Sequence, residues 1–210
     1  MKTPQGSEEF IAEQKEILKQ GDEVECANTH YNRGVELMEN GELDKAIIAF
    51  NQAIEESGRM FEAYVNLGYI YFKKGDLERV VECNQRSVEI EPRYARGYAN
   101  LGFAYLQMSD AENAIAALKK AIELNPEIVQ AYSNLINAYL LNDEVKKAVE
   151  TGEKLVSFAP DFALGHNNLA SAYYNNEDYE KAIEHVDKAI SLGFQVHPEF
   201  LKILEPHRNA

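Results

Sequence analysis

Tyr64-Val65-Asn66-Leu67-Gly68-Tyr69-Ile70-Tyr71 and Tyr98-Ala99-Asn100-Leu101-Gly102-Phe103-Ala104-Tyr105 are one frame written twice, 34 residues apart. Apolar residues and glycine at spacings of three and four mark a helix with one buried stripe; a half-buried strand would alternate with period two. The frame continues in both directions, so that Asn32, Asn66, Asn100, Asn134 and Asn168 form a ladder at constant interval. The fourth copy keeps Tyr132, Leu135, Ile136 and Tyr139, the fifth keeps His166, Leu169, Ala170 and Tyr173, and the first is weakest, with His30, Gly34 and Leu37. A second half follows in every copy. Small residues recur there at Ala46, Ala114, Ala148 and Ala182, with Val80 in the second copy, and again at Ala53, Ser87, Ala121 and Ala189. Self-similarity at such a period is the signature of stacked supersecondary units, each burying its face against its neighbours.

Short polar connectors interrupt the stripe at Asn40-Gly41-Glu42, Lys74-Gly75-Asp76, Ser109-Asp110 and Glu177-Asp178, which predicts an antiparallel helix pair in each copy. Pro92, Pro126 and Pro160 close three copies, because proline lacks the helical donor and biases its predecessor away from helix. Glycine or alanine at 34, 68, 102 and 170 lets paired helices approach closely, and Ile136 departs from that rule. Gly152 departs in the opposite sense, standing where other copies have Phe50, Asn84, Leu118 and Val186. Two readings are open: Ile136 takes the volume that Gly152 vacates, or Gly152 is a hinge, since glycine inside a helix costs about 1 kcal/mol relative to alanine.

The period and these residues resemble the tetratricopeptide repeat (TPR) family over roughly residues 27–194. The resemblance implies an all-α, right-handed superhelical solenoid of five helix-turn-helix repeats, at 27–60, 61–94, 95–128, 129–162 and 163–194, with first helices lining a concave groove. Residues 195–210 are expected to form a C-terminal capping helix and tail: Pro198 suits a first helical position, Phe200, Leu201, Ile203 and Leu204 form an apolar stripe, and Pro206 is expected to stop the helix. Residues 1–26 are read as an N-terminal tail or amphipathic helix, with Phe10, Ile11, Ile17 and Leu18 apolar and Gly21 as a stop. Such a helix caps the array, lies in its own groove as an inhibitor, or docks in a second molecule.

The formal net charge of -14, from 21 Lys and Arg against 35 Asp and Glu, disfavours nonspecific contact with nucleic acid or an anionic membrane. The beginning of the sequence lacks a secretory signal, and no run approaches the roughly 20 apolar residues of a membrane span, so a cytoplasmic location is expected. Cys26 and Cys83, far apart in sequence, fit a reducing compartment. His30 and His166 occupy the slot of Tyr64, Tyr98 and Tyr132 and are read as packed residues, and His185, His197 and His207 lack metal-ligand spacing. No catalytic constellation, metal site or cofactor motif stands out. The expectation is a non-enzymatic protein.

The family geometry places on the concave side the ladder position and those four before, one before, three after and six after it. The expected peptide-binding groove therefore contains Asn32, Asn66, Asn100, Asn134 and Asn168 with Val65, Tyr69, Phe72, Arg96, Phe103, Leu106, Asn137, Leu140 and Tyr174. An asparagine amide offers donors and an acceptor to the backbone of a captured segment. The same asparagine is also a consensus residue of the family, for which local helix support is the competing role. The carboxylate clamp of the family's co-chaperones, two lysines, an arginine and two asparagines, is not reproduced: the matching positions of the first three repeats hold Tyr31, Val35, Asn66, Arg96 and Asn100. The resulting expectation is an adaptor that binds a peptide or helical segment of a protein partner. The alternative is a scaffold that forms homo-oligomers through its terminal helices, resembling the tetratricopeptide coat of bacterial magnetosomes.

Overall fold

The computed structural model describes residues 24–208, and every regular element among these is helical. The helices are α1 (24–39), α2 (Leu43–Glu56), α3 (Phe61–Lys74), α4 (Leu77–Ile90), α5 (Ala95–Gln107), α6 (Ala111–Leu124), α7 (Val129–Leu141), α8 (Val145–Phe158), α9 (Ala163–Asn175), α10 (Tyr179–Ser191) and α11 (Pro198–Arg208). They belong to two compact units, Met1–Pro92 and Arg93–Ala210. The amphipathic stretch expected around Phe10, Ile11, Ile17 and Leu18 lies outside the described residues.

One turn is used five times. Gly41, Gly75, Ser109, Asp143 and Glu177 all have φ between 58° and 77°, and each follows the first helix of a pair. The amide of the next residue then reaches back to the carbonyl of Leu37, Tyr71, Tyr105, Tyr139 or Tyr173, closing the helix with a six-to-one bond. That next residue is always acidic: Glu42, Asp76, Asp110, Glu144 or Asp178. In three cases its carboxylate also opens the second helix, accepting from the amides of Arg79, Asn113 and Lys181. A single acidic residue thus ends one helix and starts its partner. At the far end, α4, α6 and α8 stop at Ile90, Leu124 and Phe158, two residues before Pro92, Pro126 and Pro160. The intervening Glu91, Asn125 and Ala159 have left the helical region, as a residue preceding proline must.

Within each pair a small residue faces a large one. A methyl at Gly34 would stand 2.7 Å from the Phe50 ring, at Gly68 2.9 Å from the Asn84 amide, and at Gly102 2.3 Å from Leu118 Cγ. Overpacking of this kind costs typically ~1–3 kcal/mol, so the glycines are required by close approach and not by backbone conformation. Gly152 differs in its partner. The atoms that would meet a methyl there belong to Leu169 of α9, the nearest at 2.7 Å. The space Gly152 leaves is occupied from the following repeat, which gives it a close-approach role.

The first unit centres on Ala46, Phe50, Ala63, Leu67 and Ile70. In the second unit one cluster gathers Leu118, Tyr132, Leu135, Ile136 and Leu155 from α6, α7 and α8, and another joins Leu169, Val186 and Leu204 from α9, α10 and α11. Helix α11 covers the end of the array as expected, but Pro206 lies inside it and the helix runs on to Arg208. Two contacts hold that last turn: His207 stacks on Tyr179 with centroids 3.7 Å apart, and Arg208 forks onto both carboxylate oxygens of Asp187 at 2.9 and 2.5 Å. The stop expected at Pro206 is overridden by these anchors.

Candidate functional site

The five ladder asparagines share a helical position, yet their amides do different things. Asn66 donates from Nδ2 to the hydroxyl of Tyr31 at 3.3 Å. Asn168, only 5% exposed, donates from Nδ2 to the carbonyl of Ser133 at 3.2 Å and to its Oγ at 2.8 Å. Both partners lie 35 residues earlier, on the first helix of the preceding repeat. These two amides pin one repeat to another. Asn32 and Asn100 are exposed, and neither side chain has a hydrogen-bond partner among the described residues. Asn134 is 7% exposed and is likewise unpartnered among the described residues. The residue 35 positions before Asn134 is Ala99, whose side chain has no acceptor, whereas Tyr31 and Ser133 supply hydroxyls. That difference was legible in the sequence.

The two uncommitted amides of the second unit line one recess. It has a volume of about 660 Å³ and is bounded by Arg96, Ala99, Asn100 and Phe103 of α5, by Asn125 and Glu127 of the connector, and by Ile128, Val129, Gln130 and Asn134 at the start of α7. Such a volume is within the range of ligand pockets, about 300–1,000 Å³. Arg96, Asn100, Phe103 and Asn134 were expected from the sequence, and the structure brings them together. The connector residues were missed because concave positions were sought on first helices alone. Their local signal is Asn125-Pro126, where α6 must end; the Asn125 side chain then accepts from the Glu127 amide at 3.0 Å and fixes the bend.

The remaining expected residues are distributed as follows. In the first unit Val65 is half-buried, while Tyr69 and Phe72 are 49% and 41% exposed, with the Lys73 ammonium 5.5 Å from the Tyr69 ring centroid. In the second unit Leu106 and Leu140 pack against the main core cluster. Asn137 is half-buried. Tyr174 contacts the C-terminal cap, edge-on to Phe200 at 6.0 Å and tilted against Tyr179 at 5.5 Å.

A second polar cluster lies in the fifth repeat. His166 approaches the Pro160 carbonyl through Nε2 at 2.9 Å and His185 Nδ1 through Nδ1 at 2.9 Å. A carbonyl can only accept, so Nε2 of His166 donates to it, while one Nδ1 of the histidine pair donates to the other. Burial, with His166 adding to it, lowers the pKa of His185. Tyr173 stacks on His185 and donates to Glu153 at 2.5 Å, with its own pKa raised mainly by burial. The Cys83 thiol is pushed up to about 12 by burial, which makes it inert as a nucleophile. Among the described residues no three His, Cys, Asp or Glu side chains are gathered as metal ligands, and no helix is long and apolar enough to cross a membrane.

Comparison with known proteins agrees with this architecture. Family models described as tetratricopeptide repeat match residues 95–128 and 163–192, and 27–59; a TPR repeat model matches 68–109. A PPR repeat model matches 130–158, the repeat in which Ile136 and Gly152 depart from the order of the others. Among curated proteins none matches. Among solved structures the chain is similar to MamA, at 25% identity and a TM-score of 0.74 over 83% of this chain and 99% of that one. MamA from Desulfovibrio magneticus RS-1 shares the fold at 20% identity and a TM-score of 0.73, over 79% and 94%. YrrB, described as a TPR protein with an unusual peptide-binding site, shares it at 21% identity and a TM-score of 0.69, over 78% and 84%. The MamA structures carry the organisational resemblance expected from the sequence.

Proposed function

We propose that this chain, which belongs to the tetratricopeptide repeat family, is a non-enzymatic interaction module that holds a segment of another protein in the α5–α7 recess. The observation that carries this reading is the pair Asn100 and Asn134: two amides with no partner among the described residues, opening into one recess beside the Phe103 ring. Both amides open on the recess with their donors and acceptor uncommitted, and a peptide backbone supplies the acceptor and the donor they lack. An extended segment is favoured, because its backbone groups are free to pair with side chains, whereas a helix has already satisfied its own.

The test is direct. Peptides are selected from a random displayed library against the full chain, and their affinities are compared with those for the Asn100→Ala, Asn134→Ala double variant. Each net hydrogen bond contributes about 0.5–1.5 kcal/mol, so losing two to four should weaken binding roughly tenfold or more at unchanged thermal midpoint. Equal affinity for the double variant would remove the amides from the mechanism.

A second reading, self-assembly, is favoured by the exposed Ile190 and Ile203 on the last two helices. Light scattering over a concentration series, with the intact chain and with residues 1–26 deleted, decides it: a mass that stays monomeric in both excludes assembly.

A further inference from the structure

The three first helices of the second unit are almost uncharged. Helices α7 and α9 contain no Asp, Glu, Lys or Arg, and α5 contains one, Arg96. The second helices α6, α8 and α10 carry four, five and five. None of the ionic groups of α6, α8 and α10 is on the recess lining, where Arg96 and Glu127 are the charged residues.

Arg96 is the one cation on the recess lining and, like Arg33 and Arg59, it stands outside the ion pairs formed among the described residues. Lys120, Lys147 and Lys181 each meet a carboxylate three residues away on the same helix or its cap, and Arg79, Arg86 and Arg208 are likewise paired. Helix α5 has no acidic residue to offer, and Arg96 has no ion-pair partner among the described residues. It stands in the first turn of α5, where the helix dipole is positive and no side chain caps the end. Cation and dipole therefore add in favour of an arriving anion. Beside them lies the Asn134 amide, nine-tenths buried and unpartnered, ready to orient a backbone.

We infer that the recess recognises a peptide segment bearing one acidic side chain among uncharged neighbours, the carboxylate forking onto the Arg96 guanidinium while Asn100 and Asn134 hold the flanking backbone. A guanidinium presents paired donors that match a carboxylate, which an ammonium does not. The restriction to one acid comes from the same surface: Glu127 on the lining and a net charge of -14 repel a second. Uncharged flanks match the neutral helices, where a charged side chain would lose hydration without gaining a partner. This inference rests on the peptide-binding reading of the recess and names its partner's chemistry.

The displayed-library selection tests both at once. Peptides selected by the full chain are expected to share a single Asp or Glu with uncharged flanks. Changing that acid to its amide should weaken binding roughly tenfold, the scale of one charge-assisted hydrogen-bond pair. Arg96→Gln should cost the acidic peptide the same factor and leave its amide counterpart unaffected, while Arg96→Glu should shift selection to Lys or Arg at that place. Because Arg96 is exposed, these variants are expected to keep the wild-type circular dichroism and thermal midpoint. Selected peptides without a shared acid, or an acid preference that survives Arg96→Gln, overturn this inference and leave the amide mechanism standing. If no selected peptide depends on Asn100 and Asn134, the recess reading falls and the inference with it.

Discussion

Asn134 and Asn168 occupy the same position in neighbouring repeats and are almost equally buried, but one faces an open recess and the other is locked into a junction. The difference comes from the preceding repeat. Ser133 presents a hydroxyl and a carbonyl to Asn168, whereas Ala99 presents no polar side chain to Asn134. An interior asparagine with its bonds made is a structural pin; one without them keeps its donors and acceptor uncommitted. The α7–α9 junction and the α5–α7 recess thus hold one residue type in opposite states.

Asn168→Ala is expected to break the comparison most strongly, because it leaves the buried Ser133 hydroxyl without its partner: about 1–3 kcal/mol of stability should be lost in denaturant melts. Asn134→Ala should change stability by less than about 0.5 kcal/mol, since no protein hydrogen bond is lost. Equal destabilisation by the two would erase the distinction between pin and uncommitted amide.

Acidification sharpens the same contrast. The folded-state pKa of His185 is depressed, by burial first and by His166 second, against the opposing carboxylates Glu184 and Glu153 and with Lys181 adding to the depression. The unfolded chain therefore takes up more protons near the ordinary value of 6.5, so stability is present above that pH and is lost as pH falls through it. The thermal midpoint should drop between about pH 7.5 and 5.5, and His185→Phe, which keeps a stacked ring on Tyr173, should flatten that slope. Peptide affinity at the recess should change little, because no histidine is on its lining. A flat midpoint in the wild type would show that the histidine pair carries no linkage.

The smallest effect is expected at Tyr132, adjacent to Ser133 on α7. Its ring is 2% exposed and edge-on to Phe158 at 5.1 Å, while its hydroxyl has no partner among the described residues. Tyr132→Phe removes an unsatisfied group and little else, so stability should hold or rise within about 0.5 kcal/mol. A loss above 1 kcal/mol would mean that the hydroxyl is satisfied in solution, by water for example.

Much of the fold was legible because repetition averages out local ambiguity. Pro92, Pro126 and Pro160 marked helix ends to within two residues, and the connectors at Gly41 and Gly75 marked the turns between paired helices. Ser109, Asp143 and Glu177 adopt the same turn without glycine, so their residue types did not announce its left-handed conformation. Pro206 misled because end-to-end contacts from Tyr179 and Asp187 outweigh a local preference. Gly152 misled similarly: its space is filled by Leu169, a neighbour that pairwise comparison within one repeat could not reveal.

By itself the sequence determined the period, the all-α architecture and the family, since these follow from local propensity and regular spacing. The tertiary structure decided which ladder amides are committed and which remain open, that Arg96, Asn100, Phe103 and Asn134 share one recess with the α6–α7 connector, and that Tyr174 belongs to the C-terminal cap. The reason is physical. A side chain's hydrogen-bonding capacity is fixed by its chemistry, but whether it is spent depends on what the neighbouring repeat places within about 3 Å of it.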